Sequence, residues 1–329
     1  MTGLIDDMLD RLPADTITSL GNFLGLDTQQ MTRGVGAVAP LLACGLARAA
    51  KQPATLESFM ALLPPGPVDR AGGLLNSLSA GTLSEVDDRL LELALGNGQH
   101  GALRYLQERL GFDARPLVAA GTPLLLNAVR DVAQEEGLDA AGVGALLERE
   151  TQSWLAADTP TARLVSGALA AGEKSAALRE RFTLAQWTQI RMAPLAAAAV
   201  VMSAAVSGKG GQERELGAAV EAVLTQRDVA AAETLTTAAY AAVYSDEELD
   251  SVNLRRVEPE RLLSVVRSAT AAVAEQTPEE VRAFRTLILK VVTQTAEAAS
   301  EGGFLGIGSV QVSEQEKQAI DAVRKAINA

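Results

Sequence analysis

Leu24-Gly25-Leu26-Asp27 is followed, after a helix-length stretch, by Ala39-Pro40-Leu41-Leu42, and this order of residues points to a helical fold. The same order returns as Leu110-Gly111-Phe112-Asp113 and then Thr122-Pro123-Leu124-Leu125. Each copy runs on into a helical tail, residues 43–50 and 126–133. Aspartate is a strong helix N-cap, so Asp27 and Asp113 each predict a helix start. A proline in a helix interior deletes one backbone hydrogen bond and bends the helix, whereas a proline in a first turn opens a new one. Either way the apolar run after it can turn into a core. The period is 86 residues at the Leu-Gly element and 83 at the proline. Solenoid units are shorter, roughly 20–50 residues. The repeat therefore predicts a small helical subdomain used twice, over residues 12–60 and 96–150. A fainter third occurrence, Ala193-Pro194-Leu195-Ala196 after Phe182-Thr183-Leu184-Ala185-Gln186-Trp187, is read as chance.

Beyond the repeat, the sequence reads as helix after helix. Thr277-Pro278-Glu279-Glu280 combines a capping threonine, a first-turn proline and a glutamate that can reach back to the cap. Ser245 to Glu248, Thr183 to Gln186 and Ser313 to Glu316 repeat that spacing. Phe284, Leu287, Ile288, Val291 and Val292 make a helical stripe, and Leu262, Leu263, Val265, Val266, Ala269 and Val273 make another. At most a short extended piece fits Val310-Gln311-Val312. Breaks fall at Pro64-Pro65-Gly66-Pro67, at Asp158-Thr159-Pro160, at Ser207-Gly208-Lys209-Gly210-Gly211 and in the glycine-rich loop 302–308. The expectation is an all-α protein of two domains. The first is the duplicated domain, 1–155, and the second is a helical domain over 160–329, with the boundary near Asp158.

Composition narrows the function classes. The 329 residues carry a net charge of −12, with 48% hydrophobic but only 3% aromatic residues. A core of Ala, Leu and Val is stabilised by many modest burials. Splitting at residue 150 gives 11 bases against 19 acids, then 18 against 22, so neither half is basic. That argues against a nucleic-acid backbone or an anionic membrane surface as partner. The single cysteine, Cys44, excludes an intrachain disulfide. The start Met1-Thr2-Gly3-Leu4-Ile5-Asp6-Asp7 lacks a signal-peptide pattern, and the expectation is a cytoplasmic protein. The uncharged run between Arg191 and Lys209 is 17 residues long and contains Pro194. At ~1.5 Å per residue it falls short of a ~30 Å hydrocarbon core and reads as a buried helix.

The Leu-Gly-hydrophobic-Asp elements, their proline partners and the turn Gly96-Asn97-Gly98-Gln99 make residues 15–150 resemble the YidB-like family of bacterial proteins of unknown function. The resemblance implies a helical domain and carries no activity, cofactor or functional residue with it. The region from about residue 160 onward departs from that pattern.

Candidate chemistry is sparse. His100, the only histidine, cannot form a multi-histidine metal site. Cys44 sits in an apolar helix and reads as an inert thiol. Gly34-Val35-Gly36-Ala37-Val38-Ala39 matches a dinucleotide fingerprint, but no strand precedes it. Ser207-Gly208-Lys209-Gly210-Gly211 lacks the hydroxyl of a phosphate loop, and Glu213 and Glu215 follow it. Asp6-Asp7, Asp87-Asp88 and Glu247-Glu248 fall at helix starts or exposed faces. Phe304, Leu305 and Ile307 in the loop 303–308 either tuck into a core or dock a partner. No catalytic, cofactor or metal residue is named. The expectation is a non-enzymatic interaction or assembly protein that self-associates, its partner being itself or another protein. A binding module for a small apolar ligand held between helices, and an enzyme with a dispersed acidic site, are the alternatives.

Overall fold

A computed structural model describes residues 3–10, 14–66, 83–204, 209–229, 234–240, 257–300 and 312–328. Among the described residues the chain is all-α, with helices, 3-10 turns and no strand. It divides into two units, Met1–Ala176 and Ala177–Ala329.

Unit 1 contains α1 (Leu4–Asp10), α2 (Ala14–Leu24), α3 (Thr28–Ala49), α4 (Pro53–Met60), α5 (Glu85–Leu95), α6 (Gln99–Leu110), α7 (Val118–Glu136), α8 (Ala140–Ala156) and most of α9 (Pro160–Arg179). The Leu-Gly-hydrophobic-Asp element is a helix–helix corner. Gly25 and Gly111 take left-handed φ values of 68° and 83°, which only glycine adopts without strain. Leu26 N–H then closes on the Gly21 carbonyl at 2.8 Å, and Gly111 N–H on the Gln107 carbonyl at 2.8 Å. Asp27 starts α3 as part of a capping box with Gln30. Asp113 instead accepts from Arg115 N–H at 3.0 Å, and a 3-10 turn (Arg115–Leu117) leads into α7. The same corner recurs at Gly137-Leu138-Asp139, where Gly137 has φ 66° and Asp139 accepts from Gly142 N–H at 2.8 Å.

Both repeat prolines lie inside continuous helices, Pro40 in α3 and Pro123 in α7. The two helices pack together beside these prolines. A Cβ on Gly121 would lie 3.3 Å from the Ala39 Cα. Leu41, Leu42 and Leu125, just past the prolines, are fully buried. The central helix α3 also packs on α2, α5 and α8.

The expected boundary near Asp158 is a real turn, but the division falls later, after Ala176. Thr159 Oγ1 accepts from Ala162 N–H at 3.1 Å and starts α9 there. The apolar face of α9, with Val165, Ala168 and Leu169, is buried in the core of unit 1. A local turn signal marks where a helix begins, while the burial of its apolar face decides which unit owns it.

Unit 2 holds α10 (Leu184–Ala204), α11 (Lys209–Val229), α12 (Leu235–Tyr240), α13 (Pro259–Ala274), α14 (Pro278–Ser300) and α15 (Glu314–Ala326). The capping spacings at Thr183, Thr277 and Ser313 each form the reciprocal bonds with Gln186, Glu280 and Glu316. The fourth, at Ser245, lies outside the described residues, as do Pro67, Ser207, Gly208, Val310, Gln311 and the loop 302–308. Lys209 opens α11, so Gly210 and Gly211 sit in a first turn and not in a linker. The first eleven residues of the uncharged run form the buried spine of the unit. Residues 192–202 of α10 are buried, with α13, α14 and α15 packed around the helix. No described helix is long and apolar enough to cross a membrane.

Pro194 explains one buried contact. It has no N–H, so the Ile190 carbonyl four residues earlier lacks its helical donor. The hydroxyl of buried Tyr240 donates to that carbonyl at 2.7 Å, and Arg191 Nη1 donates to the Ala239 carbonyl at 2.7 Å. The short helix α12 is thereby held on α10 at the proline. Tyr240→Phe is expected to cost about 1–2 kcal/mol by leaving a buried carbonyl unsatisfied, read as a lower urea midpoint at unchanged slope. The third occurrence, Ala193-Pro194-Leu195, thus shares with the other two a proline inside a continuous helix.

Candidate functional site

An open cleft of about 390 Å³ in unit 1 is lined by Arg33 of α3, Tyr105 and Arg109 of α6, and Pro160, Thr161, Arg163 and Leu164 of α9. Arg33 Nη2 donates to the Arg109 carbonyl at 3.4 Å. The Arg109 guanidinium lies 5.4 Å from the centre of the Tyr105 ring, within cation–π range. Arg163 Nη1 donates to the carbonyl and the carboxylate of Asp158, at 2.7 and 2.9 Å. Asp158 is the one described non-glycine residue with positive φ, 48°, a conformation aspartate tolerates better than most. The half-buried Tyr105 is seated by glycine: a Cβ on Gly167 would lie 2.2 Å from its hydroxyl oxygen. Three arginines lining one cleft can hold an anion by charge and by paired N–H donors.

A second cleft, about 270 Å³ in unit 2, lies between α11 and α14. Glu221, Thr225, Gln294 and Glu297 line it with Ala218 and Ala298, and Lys290 Nζ donates to Thr225 Oγ1 at 3.0 Å. Both clefts are open and carry charged walls.

The residues singled out in the sequence take structural places. Gly34 meets the second corner: a Cβ there would lie 2.4 Å from Leu117 Cδ1 and 3.1 Å from the Phe112 ring. The glycine fingerprint thus lies within the long helix α3 and not at a strand–helix turn. His100 is half-buried in the first turn of α6. Asp6 and Asp7 lie in the first turn of α1. Asp87 is buried in the capping box of Ser84, and Asp88 pairs with Arg115 at 3.2 Å. Glu247 and Glu248 lie outside the described residues, as does the loop 303–308. Glu215 is buried within α11.

Cys44 is buried, and burial pushes its thiol from 9.0 to about 12, partly offset by the charge of Arg48. A raised thiol pKa favours the folded state below pH 9, where both states are protonated. That advantage is lost as pH rises through 9 toward 12 and the unfolded thiol ionises first. At pH 8 the folded protein is expected to resist iodoacetamide, and protein unfolded in urea to alkylate fully, as read by mass spectrometry.

The arginine cleft was not legible from sequence motifs, because its cations come from three helices at positions 33, 109 and 163. The corner motif does give one signal. Arg109 precedes Leu110-Gly111, and the equivalent position before Leu24-Gly25 is Phe23, which is 49% exposed. The two corners share a backbone and present different chemistry to solvent.

Comparison with known proteins adds one finding. No curated protein and no solved structure matches the chain. Residues 6–117, from α1 to the end of the second corner, match the model of a family described as "Bacterial protein of unknown function (DUF937)", in keeping with the YidB-like resemblance of this region.

Proposed function

We propose that the chain is a non-enzymatic helical interaction protein that self-associates, working in the cytoplasm. The observation that carries this reading is Phe23, half exposed at the first corner in a chain with only six phenylalanines. Arg109 holds the equivalent place at the second corner, so the exposed aromatic is a choice of side chain and not a demand of the turn. Leu184, 73% exposed at the start of α10, adds apolar surface in unit 2. Aromatic side chains concentrate in the anchoring centres of protein interfaces. A buried thiol as the only cysteine accords with a reducing compartment.

Analytical ultracentrifugation of the full chain tests the reading. The wild type is expected to form oligomers at micromolar concentration, and Phe23→Ser to weaken them tenfold or more with unchanged circular dichroism. Monomer throughout the accessible concentration range would overturn self-association.

A further inference from the structure

Among the described residues of unit 1, arginine is almost always matched by an acid. Of its nine described arginines, seven form an ion pair with a carboxylate. Arg33 and Arg109 form none among the described residues, and these two are the pair brought together in the cleft. Acids outnumber bases 21 to 13 in Met1–Ala176, so carboxylates are not scarce. Two cations lining one cleft without an acid raise each other's energy, and an anion bound there offsets that cost. The third lining arginine, Arg163, is oriented by Asp158. Arg109 is steadied on the Tyr105 ring, which limits the freedom it would lose on binding.

We propose that this cleft is a binding site for a multiply charged oxyanion group, a phosphate or a polycarboxylate, held by Arg33, Arg109 and Arg163. Guanidinium forks suit such groups because parallel N–H donors meet paired oxygens. Pro160, Leu164 and the Tyr105 ring supply an apolar wall for whatever the anionic group is attached to. The site involves no bond making, and none of its lining residues is a histidine, a carboxylate or a thiol. It is separate from the Phe23 corner, so it stands whether or not the chain self-associates.

Isothermal titration of the full chain with inorganic phosphate and with citrate, against sodium chloride of matched ionic strength, tests it. Saturable one-to-one binding is expected for at least one of the two anions. The tighter of the two names the group, and either order supports the site. Arg33→Gln combined with Arg109→Gln is expected to weaken binding tenfold or more. Arg115→Gln, which removes an exposed arginine paired with Asp88 elsewhere in the unit, is expected to leave it unchanged. Circular dichroism melts show whether each variant is folded. Equal response to chloride and to both anions, or full binding by the folded double variant, would overturn the proposal.

Discussion

Gly45→Val is expected to destabilise unit 1 by about 3 kcal/mol, while Gly36→Ala on the same helix stabilises it by about 0.5–1 kcal/mol. Both glycines lie in α3, where glycine is a poor helix former, so propensity alone predicts a gain at each. Packing separates them. A Cβ on Gly45 would lie 2.6 Å from the Ala94 carbonyl oxygen and 2.7 Å from Leu95 Cδ2, so α5 would have to move away from α3. The obstacle is backbone, which cannot rotate aside as a side chain can. A Cβ on Gly36 meets nothing within 4 Å. Urea titration gives the comparison. In a Trp187→Phe background, Trp154 is the remaining tryptophan and its fluorescence reports unit 1. A Gly45→Val midpoint equal to wild type would mean that the α3–α5 contact is not as close as described.

The same contrast shows what the sequence could and could not reveal. Caps at Asp27, Thr183, Thr277 and Ser313 were readable because a cap is decided by residues three apart. The left-handed glycines 25 and 111 were flagged by their repetition, although their role as helix ends emerges only from their φ values. Gly137-Leu138-Asp139 is not marked in the sequence, because no proline element follows it to complete the echo. The placement of Gly34 and Gly45 against distant elements leaves no local trace, since Leu117 and Ala94 are far off in sequence. The turn at Asp158 and the division after Ala176 differ for a related reason. The break at Asp158 is local, whereas the burial of Val165 and Leu169 is set by the surface they meet. The arginine cleft is the extreme case, assembled from three helices, and sequence spacing carries no information about it.

Phe284→Ala is expected to cost unit 2 about 3–5 kcal/mol. The predicted stripe on α14 is fully realised: Phe284, Leu287, Ile288, Val291 and Val292 are all 0–1% exposed. The core of unit 2 is rich in alanine, and residues 196–199 are four alanines in a row, all buried. Alanine methyl groups cannot swing inward to fill the space a phenyl ring leaves, so the cavity persists and its cost adds to the lost transfer energy. Phe284→Leu keeps most of the volume and is expected to cost less than about 1.5 kcal/mol. Set against a typical domain stability of roughly 5–15 kcal/mol, the alanine variant sits near the threshold of folding and the leucine variant does not. In a Trp154→Phe background, Trp187 fluorescence in urea follows unit 2 and separates the two. Equal midpoints for the alanine and leucine variants would show that the alanine-rich core collapses around the missing ring, and would remove the cavity argument.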